Sequence, residues 1–200
     1  MESNVFEELA KKYDTSFRKE LAEVIVKEVR NELEGSQPGS LIDYGSGTGL
    51  VGLELTDLAK SVNLMDSSKQ MLEVAEAKIR NRDISNASVR HADFMEELPD
   101  LQADVVLLSL VLLHIPDTEK ILKQLHTILS DGGRLIIVDF DKNDLVTHPK
   151  VHNGFTIEEL NDKLTHAGFS SISRHTFYKG SQIFVNQDAT MFLCSCVKEN

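Results

Sequence analysis

Leu41-Ile-Asp-Tyr-Gly-Ser-Gly-Thr-Gly-Leu-Val-Gly52 is the stretch on which the reading of this chain turns. Leu41 and Ile42 end a short apolar run, and Asp43 stands where a buried strand would stop. Gly45, Gly47 and Gly49 follow, and residues without a Cβ let the backbone turn sharply and approach a bound molecule. From Leu50 the spacing turns helical through Leu53, Glu54 and Leu58, which predicts a helix over 50–60. A glycine loop between a strand and a helix suits a cofactor, and Asp43 separates two candidates.

Gly47-Thr-Gly49-Leu-Val-Gly52 matches G-x-G-x-x-G, in which a dinucleotide pyrophosphate rests on a helix N-terminus. A carboxylate at position 43 would repel that pyrophosphate. S-adenosylmethionine has no phosphate and carries a sulfonium and an ammonium, which a carboxylate attracts. A charge-assisted hydrogen bond of this kind contributes about 1.5–3 kcal/mol.

Asp43-Tyr-Gly45-Ser-Gly47-Thr-Gly49 resembles the first motif of class I S-adenosylmethionine-dependent methyltransferases, an acid, one spacer and G-x-G-x-G. The likeness continues along the chain. Phe6, Leu9, Ala10 and Tyr13 resemble the family's F-x-x-x-A-x-x-Y-D entry. Asp66-Ser-Ser-Lys-Gln-Met71-Leu-Glu-Val-Ala75 is similar to D-x-S-x-x-M-L-x-x-A. Val111-Leu-Leu-His-Ile-Pro-Asp117 is similar to L-H-H-[LI]-P-D of the ubiquinone/menaquinone branch, with Leu113 in place of the first histidine. Leu129-Ser-Asp-Gly-Gly-Arg-Leu135 is close to L-x-P-G-G-x-L, with Asp131 in place of proline.

Three acids, Asp43, Asp66 and Asp93, each close a predicted strand, and doubly wound sheets bind ligands at the C-terminal ends of their strands. Asp66 lies at the distance along the chain where an acid meets a ribose, and it also suits an N-cap. The resemblance implies a cofactor site made of Tyr13, Asp43, Tyr44, Gly45, Ser46, Gly47, Gly49, Asp66, Ser67, Met71, Ala92, Asp93, Phe94, Ser109 and Leu110. On it, Asp93, Ala92 and Phe94 attend the adenine, and Ser109 and Leu110 border the cofactor. His114 and His152 are the candidates for a general base, required only if the acceptor is protonated at neutral pH. His114 also suits corner packing, and His148 with His152 lacks acidic partners at metal-ligand spacing, so no metal is expected.

The fold implied is α/β: a doubly wound, Rossmann-like, seven-stranded and mostly parallel sheet, order 3-2-1-4-5-7-6, one strand antiparallel, helices on both faces. It fills a single domain over 1–200, with an N-terminal helical cap over 1–34. Asp104 to Ser109 opens a continuous apolar run suited to a central parallel strand. Helices are expected from Thr15 or Ser16 to about Glu34 with Phe17, Leu21 and Ile25 inward, from a Thr118 cap, and from Thr156 with Ile157, Leu160 and Leu164 inward. Strands are expected at 134–140, 170–178 and 189–197, and a functional loop at 141–155.

The net charge is −11, from 32 acidic and 21 basic residues, and no basic cluster stands out, which argues against nucleic acid. No apolar run reaches membrane-spanning length. No secretory signal pattern opens the chain, and a cytoplasmic protein is expected. Cys194 and Cys196 alternate on a predicted strand and read as small core residues in a reducing compartment. The function expected is methyl transfer from S-adenosylmethionine to a small-molecule acceptor, leaving S-adenosylhomocysteine, with a homodimer left open. An NAD-type oxidoreductase and a non-catalytic S-adenosylmethionine-binding regulator are the rivals.

Overall fold

The computed structural model describes residues 12–199; Phe6, Leu9 and Ala10 of the expected cap lie outside them. The strand order is β3-β2-β1-β4-β5-β7-β6, as the sequence implies. Two compact units divide the chain, Met1–Pro99 and Asp100–Asn200.

The first unit holds α1 (Ser16–Glu32), β1 (Ser40–Tyr44), β2 (Ser61–Asp66), α2 (Lys69–Asn81) and β3 (Ala87–His91). β1 pairs parallel with β2, and β2 with β3, so Asp43 lies opposite Leu64 and Asp66 opposite His91. Thr15 caps α1 by accepting the Arg18 N–H. α1 buries Leu21, Ala22, Ile25 and Val29, but Phe17, expected inward, is 47% exposed.

The helix expected over 50–60 is replaced by turns and a 3-10 helix, Gly52–Leu55. The natural acceptor for the Gly52 N–H in an α-helix is the Thr48 carbonyl. That carbonyl accepts instead from Lys78 Nζ at 2.8 Å, and the Gly52 N–H donates to Asp43 Oδ2 at 3.0 Å. Gly52 also lies where a Cβ would come within 2.4 Å of Leu64 and 2.6 Å of Asp43 Oδ2. The chain sinks against β1 and β2 too closely for an α-helix with side chains all round.

The second unit holds β4 (Ala103–Ser109), a 3-10 turn (Leu112–His114), α3 (Thr118–Ile128), β5 (Leu129–Phe140), α4 (Ile157–His166), β6 (Phe169–Phe184) and β7 (Gln187–Lys198). β4 and β5 are parallel, and β7 runs antiparallel to both β5 and β6. β5 begins at Leu129 rather than 134. Its register against β4 jumps from Leu129 to Arg134, so Ser130–Gly133 form an irregularity in the strand. Asp117, not Thr118, caps α3, accepting the Lys120 N–H, while Thr118 is buried. Thr156 and Glu159 form a capping box on α4, whose first residue Ile157 is 54% exposed rather than inward. Cys194 and Cys196 are buried, as expected, and form no disulfide. No helix among the described residues is long and apolar enough to cross a membrane.

Candidate cofactor and acceptor site

The glycine loop leaves β1 at Tyr44 and is held by main-chain bonds. Gly45 and Ser46 both donate to the Met65 carbonyl, at 2.7 and 3.0 Å. Gly47 and Gly49 have φ of +54° and +77°, a region that residues with a Cβ enter only at a cost. Asp43 is 1% exposed beneath this turn. Desolvation pushes its carboxyl up to about 7, the Gly52 N–H opposes the shift and nearby Asp66 adds to it. Oδ2 is occupied by Gly52, whereas Oδ1 is buried with no partner. Ser46 Oγ is likewise buried and unpartnered. Two orphaned polar atoms on one loop are unusual, because buried polar atoms are nearly always hydrogen-bonded.

Asp66, at the tip of β2, accepts from the Gly47 N–H through Oδ2 at 2.8 Å and from the Ser68 N–H through Oδ1 at 2.7 Å. Ser68 is the N-cap of α2, accepting from the Met71 N–H, so Asp66 is free of that duty. Ser67 is exposed and its carbonyl lies 3.0 Å from His91 Nε2. Past β3, the Ala92 N–H donates to the Asp66 carbonyl, and Asp93 Oδ1 accepts from the Met95 N–H. Phe94 is fully buried and stacks on Tyr44 with ring centroids 4.2 Å apart, while its N–H donates to the Tyr44 hydroxyl. The first unit thus gathers Asp43, the glycines, Asp66 and the 92–94 turn through a continuous set of main-chain bonds.

Tyr13 is half-buried, and its carbonyl accepts from Arg18. The Asp14 carboxylate is 6% exposed, pairs with Lys78 Nζ at 2.6 Å and accepts from Thr48 Oγ1 at 2.5 Å. The chain before α1 is therefore tied to the glycine loop itself.

In the second unit, Ser109 ends β4, and Leu110 follows with φ of +56°. For a leucine this conformation costs about 1–2 kcal/mol. The Leu110 N–H still donates to the Val138 carbonyl at 2.8 Å. Asp139, completely buried in β5, is a residue the sequence reading passed over. It accepts from the Leu113 N–H through Oδ2 at 3.0 Å and from the Phe140 N–H through Oδ1 at 2.8 Å. Desolvation pushes this carboxyl to about 7 as well. The visible signal was an acid inside the apolar run Leu135-Ile-Ile-Val-Asp-Phe140.

Asp139 anchors the turn that carries His114. That turn in turn seats His152, whose N–H donates to the Leu113 carbonyl at 2.8 Å and whose Nε2 lies 2.9 Å from the Ile115 carbonyl. A carbonyl only accepts, so Nε2 carries a proton and Nδ1 holds the free lone pair of the neutral ring. His114 and His152 line one hollow of about 300 Å³. The pKa of His114 is pushed down, first by desolvation and then by His148.

The 141–155 connection is an ordered loop with closed ends. Phe155 N–H donates to the Phe140 carbonyl and Asn143 N–H to the Asn153 carbonyl. Arg174, 4% exposed, donates through Nη2 to Asp141 Oδ1 and the Phe155 carbonyl, and through Nη1 to the Thr156 carbonyl. Its guanidinium also lies 3.7 Å from the centre of the Phe192 ring. Among the described residues, no cluster of three or more His, Cys, Asp or Glu could hold a metal ion.

A family model described as a methyltransferase domain matches residues 37–182. The chain belongs to this family. It is 31% identical over 136 residues to the ubiquinone/menaquinone biosynthesis C-methyltransferase UbiE of Vibrio parahaemolyticus, covering 64% of this chain and 52% of that protein. The chain spans about half the length of that curated relative. The solved phosphoethanolamine N-methyltransferase 2 of Haemonchus contortus, in complex with S-adenosyl-L-methionine, superposes with a TM-score of 0.73 at 16% identity, over 88% of this chain and 52% of that one. The [4+2]-cyclase SpnF superposes with a TM-score of 0.74 at 18% identity, over 88% and 80%. At these identities the two structures speak for the fold, and the cyclase illustrates that one fold hosts different reactions.

Proposed function

We propose that this protein transfers the methyl group of S-adenosylmethionine to a small-molecule acceptor in the cytoplasm, with both units working as one domain. The observation that carries the reading is Asp43: a fully buried carboxylate under the glycine loop with one oxygen unpaired. Together with the orphaned Ser46 hydroxyl it offers an acceptor and a donor to the ammonium and carboxylate of an amino-acid tail. Asp66 holds the Gly47 amide and would offer its oxygens to the ribose hydroxyls. When bound, S-adenosylmethionine supplies a methyl group on an activated sulfonium leaving group. The chain's own residues orient the partners and exclude water, and His114 and His152 stand in one hollow to hold or accept an acceptor proton.

The family membership, the UbiE relative and the glycine loop all favour methyl transfer over hydride transfer. The loop adds a reason of its own against a dinucleotide. It opens into four residues of 3-10 helix, Gly52–Leu55, not into the α-helix whose N-terminus would hold a pyrophosphate. Two buried cysteines outside any disulfide agree with a reducing compartment, and a chain of net charge −11 is poorly suited to a nucleic-acid substrate. Calorimetric titration with S-adenosylmethionine, S-adenosylhomocysteine and NAD tests the reading. Binding of the first two and not the third is expected, and NAD binding alone overturns it. Conversion to S-adenosylhomocysteine with a panel of acceptors separates an enzyme from a regulator that only binds.

A further inference from the structure

The hollow beside His114 has a chemical character at odds with the rest of the chain. Its lining includes Lys150, His114 and His152 with Leu113, Pro116, Pro149 and Val151, and no acidic residue, in a protein of net charge −11. The Lys150 ammonium has no acidic partner among the described residues. Of the acids closest in sequence, Asp117 accepts the Lys120 N–H through one oxygen at the start of α3, and Asp139 accepts the Leu113 and Phe140 N–H groups. The imidazole of His148 is fixed by the Lys150 N–H, which donates to Nδ1 at 3.2 Å. Its Nε2 therefore carries the proton in the neutral ring.

We propose that this hollow binds a compact organic carboxylate, its apolar body against Leu113, Pro116, Pro149 and Val151 and its anionic head on Lys150 and His114. Its volume of about 300 Å³ lies at the small end of ligand pockets, which limits the guest to a small acid. His148 adds to the desolvation that holds the His114 pKa down, and an anion in the hollow counters both effects. The bound acid therefore raises the His114 pKa from its depressed position, and binding strengthens as pH falls towards it. The inference deepens the methyltransferase reading: the acid is the class of methyl acceptor, taken up by the loops that follow β4 and β5.

The test uses the full chain and three probes, benzoate, neutral benzamide and inorganic phosphate, with histidine ring signals followed by NMR and S-adenosylhomocysteine affinity measured on the same sample. Benzoate is expected to shift His114 saturably and raise its titration midpoint. Benzamide is expected to bind about tenfold more weakly or worse, as is benzoate to Lys150→Glu, a change at an exposed position that reverses the charge. Phosphate, lacking an apolar body, is expected to bind more weakly than benzoate. Equal binding of benzamide and benzoate, an unaffected Lys150→Glu, phosphate as tight as benzoate, or a silent His114 overturns the carboxylate site. If S-adenosylhomocysteine still binds, the cofactor reading survives that result; if it does not bind, the methyltransferase reading itself has failed.

Discussion

Asp43 and Asp139 are two acids in apolar strands, both fully buried, both with carboxyl groups pushed by desolvation to about 7, and they are finished to different degrees. Asp139 accepts a main-chain N–H on each oxygen. Asp43 accepts one, from Gly52, and its other oxygen has no partner. A completed carboxylate has done its work once the chain has folded. An uncompleted one, beneath a loop shaped by glycines, leaves an oxygen open to a further partner, which the function proposed above takes to be the cofactor.

The largest effect that could break this contrast is on stability. Asp139→Ala leaves the Leu113 and Phe140 N–H groups buried and unpaired, and about 3 kcal/mol of stability should be lost in denaturant unfolding. A loss within about 0.5 kcal/mol, the range of ordinary surface substitutions, would remove Asp139 from the frame of the His114 turn. Asp43→Asn should behave in the opposite way. Its S-adenosylmethionine affinity should fall by about 1.5–3 kcal/mol, read by calorimetry, while stability at pH 8 stays near or above that of the native chain.

A third effect sharpens the contrast through pH. Asp43 titrates at 3.8 in an unfolded chain and at about 7 here, so between those values the folded state holds the extra proton. Stability from this group is therefore fully present at low pH and lost as pH rises from about 4 to 7. Relative to Asp43→Asn, the native chain should lose melting temperature from pH 5 to pH 8. Binding of a cationic cofactor should run the other way, tightening by up to about tenfold per pH unit below 7, with proton release, and levelling above it. A flat affinity profile would show that Asp43 does not meet the positive charge.

The smallest effect is at Lys78. Lys78→Met leaves Asp14 with the Thr48 hydroxyl alone, and the Asp14 carboxylate is only 6% exposed. About 1–3 kcal/mol should be lost, the usual result of leaving a buried group incompletely paired, with a weaker cofactor affinity if Asp14 helps hold the glycine loop. Unfolding and cofactor titration on one sample separate the two consequences.

The strand order and the acid-tipped strands were legible because continuous apolar runs and glycine turns are local signals. The helix over 50–60 was misread because its spacing is helical, while the tertiary structure takes its hydrogen bonds: Lys78 occupies the Thr48 carbonyl and Asp43 the Gly52 amide. The N-cap moved from Thr118 to Asp117 because neighbouring residues both suit that role, and burial of Thr118 decided between them. Asp14 with Lys78, and Asp141 with Arg174, are partners across 64 and 33 residues of sequence, a separation no periodicity reveals. Asp139 could have been found by asking why an acid interrupts an apolar strand.

Arg174 fastens the beginning of the 141–155 connection at Asp141 and its end at Phe155 and Thr156, while Asp144, Leu145 and Thr147 to Lys150 between them face outward. Such a layout separates anchorage from content. Laboratory variants can exchange the middle of this segment like an interchangeable tool head, while the joint and the sheet beneath stay as they are, provided the guanidinium and its three oxygen partners are kept.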